Sequence, residues 1–313
     1  MKIEHLKIFS IFAAMKNTTS HKGLGYVAIL FAMFFWGFSF VWIKQLLINN
    51  FPVFTIVFIR LVLASIVFVT LLKLQKKLQH VERTDYKDFL LLAFFEPFLY
   101  FIGEDFGLKY VDASFAAVII ALIPIVISIT MYFTEREPIR WEFVVGALIS
   151  MGGVIMLTMS PNGQMTFNLK GTLLLCLAVL AASGYSVQLT RLLKKYSPAT
   201  VTTVQNFIAI PFYLPFILIF DIHQWPSLNW NVSSISSLIC LALLCSAGAY
   251  MLYSYSVKQL TVSKTCVFTN LIPIVTLLTA AAIGQETFTS IKFWGILVIV
   301  VGVTFSQLRV KRL

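Results

Sequence analysis

Charge is what this chain has least of. Only 12% of its 313 residues are Asp, Glu, Lys or Arg, about half the share expected in a soluble domain, where roughly a quarter are charged. With 59% hydrophobic residues and a mean hydropathy of +0.88, this excludes a soluble globular protein. Disorder, collagen and coiled coil fail on the same composition. Histidine is scarce too: His5, His21, His80 and His223 all lie outside the apolar runs, which removes histidine catalysis or metal binding at membrane depth. Four cysteines, Cys176, Cys240, Cys245 and Cys266, sit inside apolar runs without the paired spacing of a zinc or thioredoxin-like motif. No GxxxxGK[ST] phosphate loop is present. Gly23-Leu24-Gly25-Tyr26-Val27-Ala28 imitates GxGxxA but lacks the preceding strand that a dinucleotide site needs. The expectation is a protein that is not an enzyme and has no cofactor or metal.

What is present is ten apolar runs: 24–46, 53–72, 88–108, 112–133, 142–159, 171–190, 200–220, 235–256, 262–283 and 292–308. Each is close to the ~20 residues a bilayer core demands. Only helices satisfy backbone groups within such a segment, so the expected fold class is an all-α integral membrane protein with ten transmembrane helices. The links, the longest at about 73–87 and 221–234, are too short for an independent domain.

The net charge of +11 is explained by topology. With the N-terminus cytoplasmic, nineteen Lys and Arg fall on the inner face and only Lys109, Lys170 and Lys292 on the outer, while Lys44 and Arg60 lie within helices. That is a strong positive-inside bias. Both termini are expected in the cytoplasm of a multi-pass cytoplasmic (inner) membrane protein, and no nucleic acid is required. Residues 1–23 read as a cytoplasmic extension, with Met15 an alternative start to Met1, and 309–313 as a basic cytoplasmic tail.

The sequence repeats itself. Residues 108–156 lie on 257–305 without a gap: Leu122-Ile123-Pro124-Ile125-Val126 falls on Leu271-Ile272-Pro273-Ile274-Val275. Ser114 meets Ser263, Glu137 meets Glu286, Gly146 meets Gly295, and Gly153-Val154 meets Gly302-Val303. Weaker echoes join Gly37-Phe38-Ser39 to Gly184-Tyr185-Ser186, and Pro52 and Arg60 to Pro198 and Asn206. Two five-helix units, 24–159 and 171–308, are therefore expected. Five is odd, so the second unit enters from the opposite side and the repeats are inverted, a recurrent build of secondary transporters with the solute site near mid-membrane.

In these features the chain resembles the EamA-type transporters of the drug/metabolite transporter superfamily, over about residues 24–306. The resemblance rests on Phe35-Trp36-Gly37-Phe38-Ser39, on Phe58-Ile59-Arg60, on the matched prolines, and on Glu137 to Gly146 and Glu286 to Gly295. Pro138 departs from it, standing where the pattern often has a basic residue. The resemblance implies a ten-helix transporter of small metabolites, often amino acids or related compounds, frequently moved outward.

The candidate site residues follow from membrane energetics. Glu96, Glu104 and Asp105 lie in the third run. A charge at bilayer centre costs ~2.5–3.5 kcal/mol on insertion scales, so such groups face a cavity, a partner or a proton path. At 100° per residue, Tyr100 lies about 40° and Gly103 and Gly107 within about 20° of Glu96, whereas Asp105 points away. Glu96 and Glu104 are the expected proton-coupling pair, with Arg60 balancing their charge either as a structural ion pair or as part of the mechanism. Neither acid recurs at its repeat position, where Cys245 and Tyr253 stand. Pro124 and Pro273, read as mid-helix, are expected kinks or gates. Asn270 is either a solute contact or hydrogen-bonding glue. Trp36, Tyr250 and Asn206, with Tyr185, Tyr253 and Gln205 beside them, would give an aromatic chamber with few polar groups, suited to a small amphipathic molecule. Glu135 and Glu137 read as loop charges or inner-gate ion pairs.

The expectation is thus a proton-coupled exporter whose partners are its small-molecule solute, protons and the lipid bilayer, with a homodimer left open. The alternatives are an intramembrane enzyme acting on a lipid-linked substrate and a receptor or assembly subunit that binds without flux.

Overall fold

At hydrocarbon depth a backbone group has no water to bond, so so apolar a chain satisfies its backbone within helices. A computed structural model describes residues 21–107, 110–111, 116, 119–159, 168–282 and 289–308. Met15, the tail 309–313, and Ser114 and Glu286 of the repeat lie outside them. Among the described residues every regular element is helical.

The first unit contains α1 (His21–Ile48), α2 (Val53–Leu74), α3 (Tyr86–Ala93), α4 (Tyr100–Gly107), α5 (Ile123–Glu135) and α6 (Trp141–Thr158). The second contains α7 (Leu169–Lys195), α8 (Pro198–Phe216), α9 (Val232–Cys240), α10 (Tyr250–Leu260), α11 (Val262–Cys266), α12 (Ile272–Ala282) and α13 (Ser290–Gln307). Wide π-type turns at Phe94–Leu99 and Leu241–Ala249 join α3 to α4 and α9 to α10. A 3-10 turn, Val267–Leu271, joins α11 to α12. Among the described residues seven helical stretches are long and apolar enough to cross a membrane. Helix α1 starts at His21, so the last three residues of the expected 1–23 extension are helical.

The repeat is visible in the element boundaries. Helices α5 and α12 begin at Ile123 and Ile272, and α6 and α13 span Trp141–Thr158 and Ser290–Gln307, pairs related by the same shift of 149 residues that aligns the sequences. Equivalent helices cross each other antiparallel. A Cβ added to Gly146 of α6 would meet the Gly302 carbonyl of α13 at 2.5 Å, and one on Gly153 would meet that of Gly295 at 2.7 Å. Rising along α6 therefore means descending α13. Only glycine permits so close a crossing, which is why these four recur in register. Helices α2 and α8 also run antiparallel: Phe54 stacks near Tyr213, while Phe68 shares a cluster with Ala199.

Two ends of the bundle result. One, here the Asn49 face, holds the α1–α2 link, where Asn231 donates to Asn49 Oδ1 at 2.9 Å, and Asp221, which accepts from the Thr55 amide at 2.8 Å. The other, the Lys195 face, holds the α2–α3, α5–α6, α7–α8 and α10–α11 links. Large apolar side chains such as Phe133, Leu180, Leu218, Trp294 and Val301 point outward, whereas Arg60, Gln205, Asn206 and Ser254 are buried. A molecule that is apolar outside and polar within is arranged for lipid.

Candidate functional site

The third span is broken where its acid stands. Glu96 has extended backbone (φ −148°, ψ 126°) between α3 and α4, and Pro97 follows without a backbone donor. The carbonyls at this break need partners; the Tyr100 amide reaches that of Pro97, and α8 adds side-chain donors. Gln205 Nε2 donates to the Glu96 carbonyl at 3.0 Å, and the Tyr213 hydroxyl to that of Pro97 at 2.9 Å. The equivalent turn of the second unit, around Cys245-Ser246, is held likewise: Asn206 Nδ2 donates to the Ser246 carbonyl at 2.7 Å. One face of α8 thus pins the break of the first unit and the π-turn of the second.

The break places Glu96 where the units meet. Its Oε1 accepts a 2.8 Å hydrogen bond from the Tyr250 hydroxyl. Tyr250 packs against Trp36 of α1, ring centroids 5.2 Å apart, and against Tyr185 of α7 at 6.4 Å; Trp36 also meets Tyr253 at 5.5 Å. Four spans therefore converge on one carboxylate. Tyr250 is buried, but Glu96, Tyr100, Glu104 and Trp36 keep part of their surface accessible. Trp36 and Tyr100 pack against the core while keeping that part open.

The expected acidic grouping is kept, with Glu96 near enough to act electrostatically on both Tyr100 and Glu104, although not through an unbroken helix face. Once the helix is interrupted at Glu96, the 100° wheel no longer relates it to residues beyond, and Tyr100 pairs within α4 instead, donating to Glu104 Oε1 at 3.1 Å. Gly103 and Gly107 pack on α7, where a Cβ on Gly103 would meet the Leu174 carbonyl at 2.6 Å. Asp105 points to the other side, among Val53, Phe54, Val57 and Tyr213.

Charge balance by a direct ion pair is also corrected. Among the described residues no cation lies within ion-pair distance of Glu96 or Glu104. Arg60 is buried, donates from Nε to Ser246 Oγ at 2.7 Å, and lies 4.8 Å above the Phe101 ring. The π-turn exposes Ser246 to it, and a cation over an aromatic face is stabilised by ~0.5–2 kcal/mol. Asn206 is committed to the same turn. Asn270 is not brought to the cluster: it donates to Ser150 Oγ of α6 at 2.7 Å, fastening the 3-10 turn to that helix. Pro124 and Pro273 each stand second in their helix, α5 or α12, and Pro273 follows the 3-10 turn within one helical stretch, Val262–Thr279. The break with extended backbone precedes Pro97.

Sequence reasoning gave no weight to Ser246 and Ser254, since small hydroxyls are common in membrane helices; only the position of Ser246 opposite Pro97 in the repeat carries a signal.

The Lys195 face is cross-linked. Glu135 at the end of α5 pairs with Arg191 at 2.9 Å and Lys194 at 2.6 Å, so it is a bridge between helices and not a free loop charge. Asp85 receives Lys195 Nζ and the Tyr196 hydroxyl, both at 2.7 Å. These hydrogen bonds, that of Lys195 foremost, hold the Asp85 carboxyl below its ordinary pKa. Lys258 donates to the Tyr196 carbonyl at 2.9 Å and Ser263 to Glu137 at 2.6 Å.

Residues 23–159 and 169–307 each match the model of the EamA-like transporter family. The chain belongs to that family. It is 24% identical to the uncharacterized transporter YetK of Bacillus subtilis (strain 168), over 92% of this chain and 88% of that protein. It is 27% identical to an uncharacterized transporter of Archaeoglobus fulgidus, over 84% of this chain and 91% of that one. A solved crystal structure at 18% identity superposes with a TM-score of 0.78 over 93% of this chain and 99% of the other, which shows a shared fold. As an EamA-like protein the chain is a multi-pass membrane transporter built of two repeats. Membership of a transporter family agrees with the reading that it is not an enzyme.

Proposed function

We propose that this EamA-like chain is a secondary carrier with ten crossings and both termini in the cytoplasm. It exports small amphipathic metabolites, such as amino acids or related compounds, by alternating access coupled to protons. The observation that carries this reading is Glu96: an accessible carboxylate at a helix break between the units, bonded to Tyr250 of the other unit and unpaired with any described cation. Broken helices at matched positions of two repeats are the strongest pointer to a transporter's site. A carboxylate that exchanges its proton there changes the energetic balance between two conformations of similar stability.

Orientation rests on charge. Lys73, Lys76, Lys77, Arg83, Lys87, Arg136, Arg140, Arg191, Lys194, Lys195, Lys258 and Lys264 all gather at the Lys195 face. Of the described Asn49-face segments only Lys170 and Lys292 are basic. The positive-inside rule makes the Lys195 face cytoplasmic in a cytoplasmic membrane, and its ion pairs make this conformation one closed to the cytoplasm.

The test is metabolite profiling of cells and medium from strains lacking the protein, overproducing it, and overproducing Glu96→Gln. The expected result is a small set of metabolites depleted in cells and enriched in medium only with the wild-type chain. Identical profiles in all three strains would overturn the reading.

A further inference from the structure

Most described polar side chains buried inside the bundle are hydrogen-bonded, and the exceptions are not scattered. Among the described residues the buried side-chain atoms without a hydrogen bond are Ser65 Oγ, Tyr185 OH, Gln188 Oε1, Thr202 Oγ1, Gln205 Oε1, Ser254 Oγ and Thr289 Oγ1. Thr289 is at the Asn49-face start of α13. The other six all lie between Glu96 and the Lys195 face.

Their arrangement follows from helix direction. Tyr185 and Gln188 are in the second half of α7, which ends at Lys195; Thr202 and Gln205 are within the first eight residues of α8, which starts at Pro198. Ser254 is on α10, which runs toward the same face. The Tyr185 hydroxyl lies beside Ser254 and Gln205, near enough to interact with both but in hydrogen-bond geometry with neither, and Gln205 reaches Glu96 through its other amide atom. One turn beyond, the antiparallel register of α2 and α8 sets Ser65 opposite Thr202. The column ends beneath Ser197 and the Asp85–Lys195–Tyr196 cluster.

Each unmet buried polar group costs roughly 1–3 kcal/mol, and apolar residues of similar size would fill the same space. Several such groups in one column, all fully or almost fully buried, make sense if the column is wet in another conformation. The free atoms comprise two amide oxygens that only accept and four hydroxyls that both donate and accept, so what they complement is a polar group carrying at least one hydrogen-bond donor.

We propose that Tyr185, Gln205 and Ser254, continued by Thr202 and Ser65, form the Lys195-face half of the solute path, shut and dry in this conformation, and that they take the hydrogen-bond-donating end of the solute when the Asp85–Lys195–Tyr196 latch parts. The proposal rests on the transport reading of the site.

The test is cysteine accessibility in the full-length chain with its four native cysteines replaced by Ser or Ala. Thr202→Cys and Ser254→Cys are exposed singly to a membrane-impermeant maleimide in inside-out and right-side-out vesicles, with and without Asp85→Asn. Phe207→Cys, on the lipid-facing side of α8, is the control, and monodispersity in detergent confirms folding of each variant. The expected result is slow labelling with the latch intact. With Asp85→Asn it becomes roughly threefold to tenfold faster from the cytoplasmic face only, the shift expected from losing a charge-assisted hydrogen bond to a partly solvated lysine, while Phe207→Cys is unchanged. Rates at both path positions that ignore Asp85→Asn, or equal labelling from both faces, would overturn the path. Failure of the transport reading is separate: it would appear as latch-dependent labelling in a chain that produces no change in any metabolite.

Discussion

Gln205 holds the main-chain carbonyl of Glu96, reaching from α8 in the second unit to the break in the first at 3.0 Å. Its neighbour Asn206 does the same for Ser246. The two halves are therefore joined at their two irregular points by adjacent residues of one helix. A carboxylate on such a break is fixed in position, yet its surroundings can change as the units rock.

The break has a measurable cost if its partners are removed. Tyr213→Phe removes the side-chain hydrogen bond to the Pro97 carbonyl, which keeps the Tyr100 amide, and Asn206→Leu removes that to Ser246. Each is expected to destabilise the protein by ~0.5–1.5 kcal/mol, read as a lower Tm in detergent. Tyr132→Phe, on the exposed surface of α5, should change little.

Adjacent glycines of α6 give a sharper contrast. A methyl on Gly153 would meet the Gly295 carbonyl and Ile299 amide, both at 2.7 Å, whereas one on Gly152 meets nothing within 4 Å. Gly153→Ala should force α6 and α13 apart and lower Tm. Gly152→Ala should hold or raise it, since Gly in a helix costs roughly 0.5–1 kcal/mol against Ala. Equal behaviour would contradict the close antiparallel crossing.

The all-helical membrane build and the repeat were legible in the sequence because composition reports burial in lipid directly and Gly146, Gly153, Gly295 and Gly302 recur in register; that they mark a helix crossing appeared only in the structure. Glu96 was legible as an unpaired acid absent from its repeat position. Its partner was not, because a helical wheel assumes an unbroken helix and Glu96 ends one. Arg60 was assigned to a carboxylate on charge alone, whereas the turn at Ser246 offers a nearer acceptor together with the Phe101 ring. Asn270 takes the hydrogen-bonding role that was one of its two readings, whereas the 3-10 turn before Pro273 was not legible, because an apolar run does not show where such a turn ends and regular helix resumes.

The latch at the Lys195 face sets a pH expectation. Bonds from Lys195 and then Tyr196 hold Asp85 below its ordinary 3.8, so the closed form is favoured fully above that value and loses this support only as pH falls through the lower, latched pKa. Across about pH 5.5 to 8 the latch is constant. Asp85→Asn should change flux by one factor at every pH in that range; a change in the shape of the profile would assign the proton response to Asp85.

Tyr250 is expected to matter through Glu96 alone. Tyr250→Phe keeps the packing on Trp36 and Tyr185 but removes the 2.8 Å hydrogen bond. Flux of the metabolite found by profiling should fall roughly tenfold, the equivalent of about 1.4 kcal/mol for a hydrogen bond to a charged group. Tyr255→Phe, one turn along and outside the cluster, should leave it unchanged.

The most direct measurement is flux of that metabolite into proteoliposomes containing wild-type or Glu96→Gln protein, at a series of pH values from about 6 to 8, where a coupling group must exchange its proton. The account predicts a wild-type rate that varies with pH and a Glu96→Gln rate that is lower and flat. A Glu96→Gln protein with the wild-type rate and the wild-type pH response would contradict it.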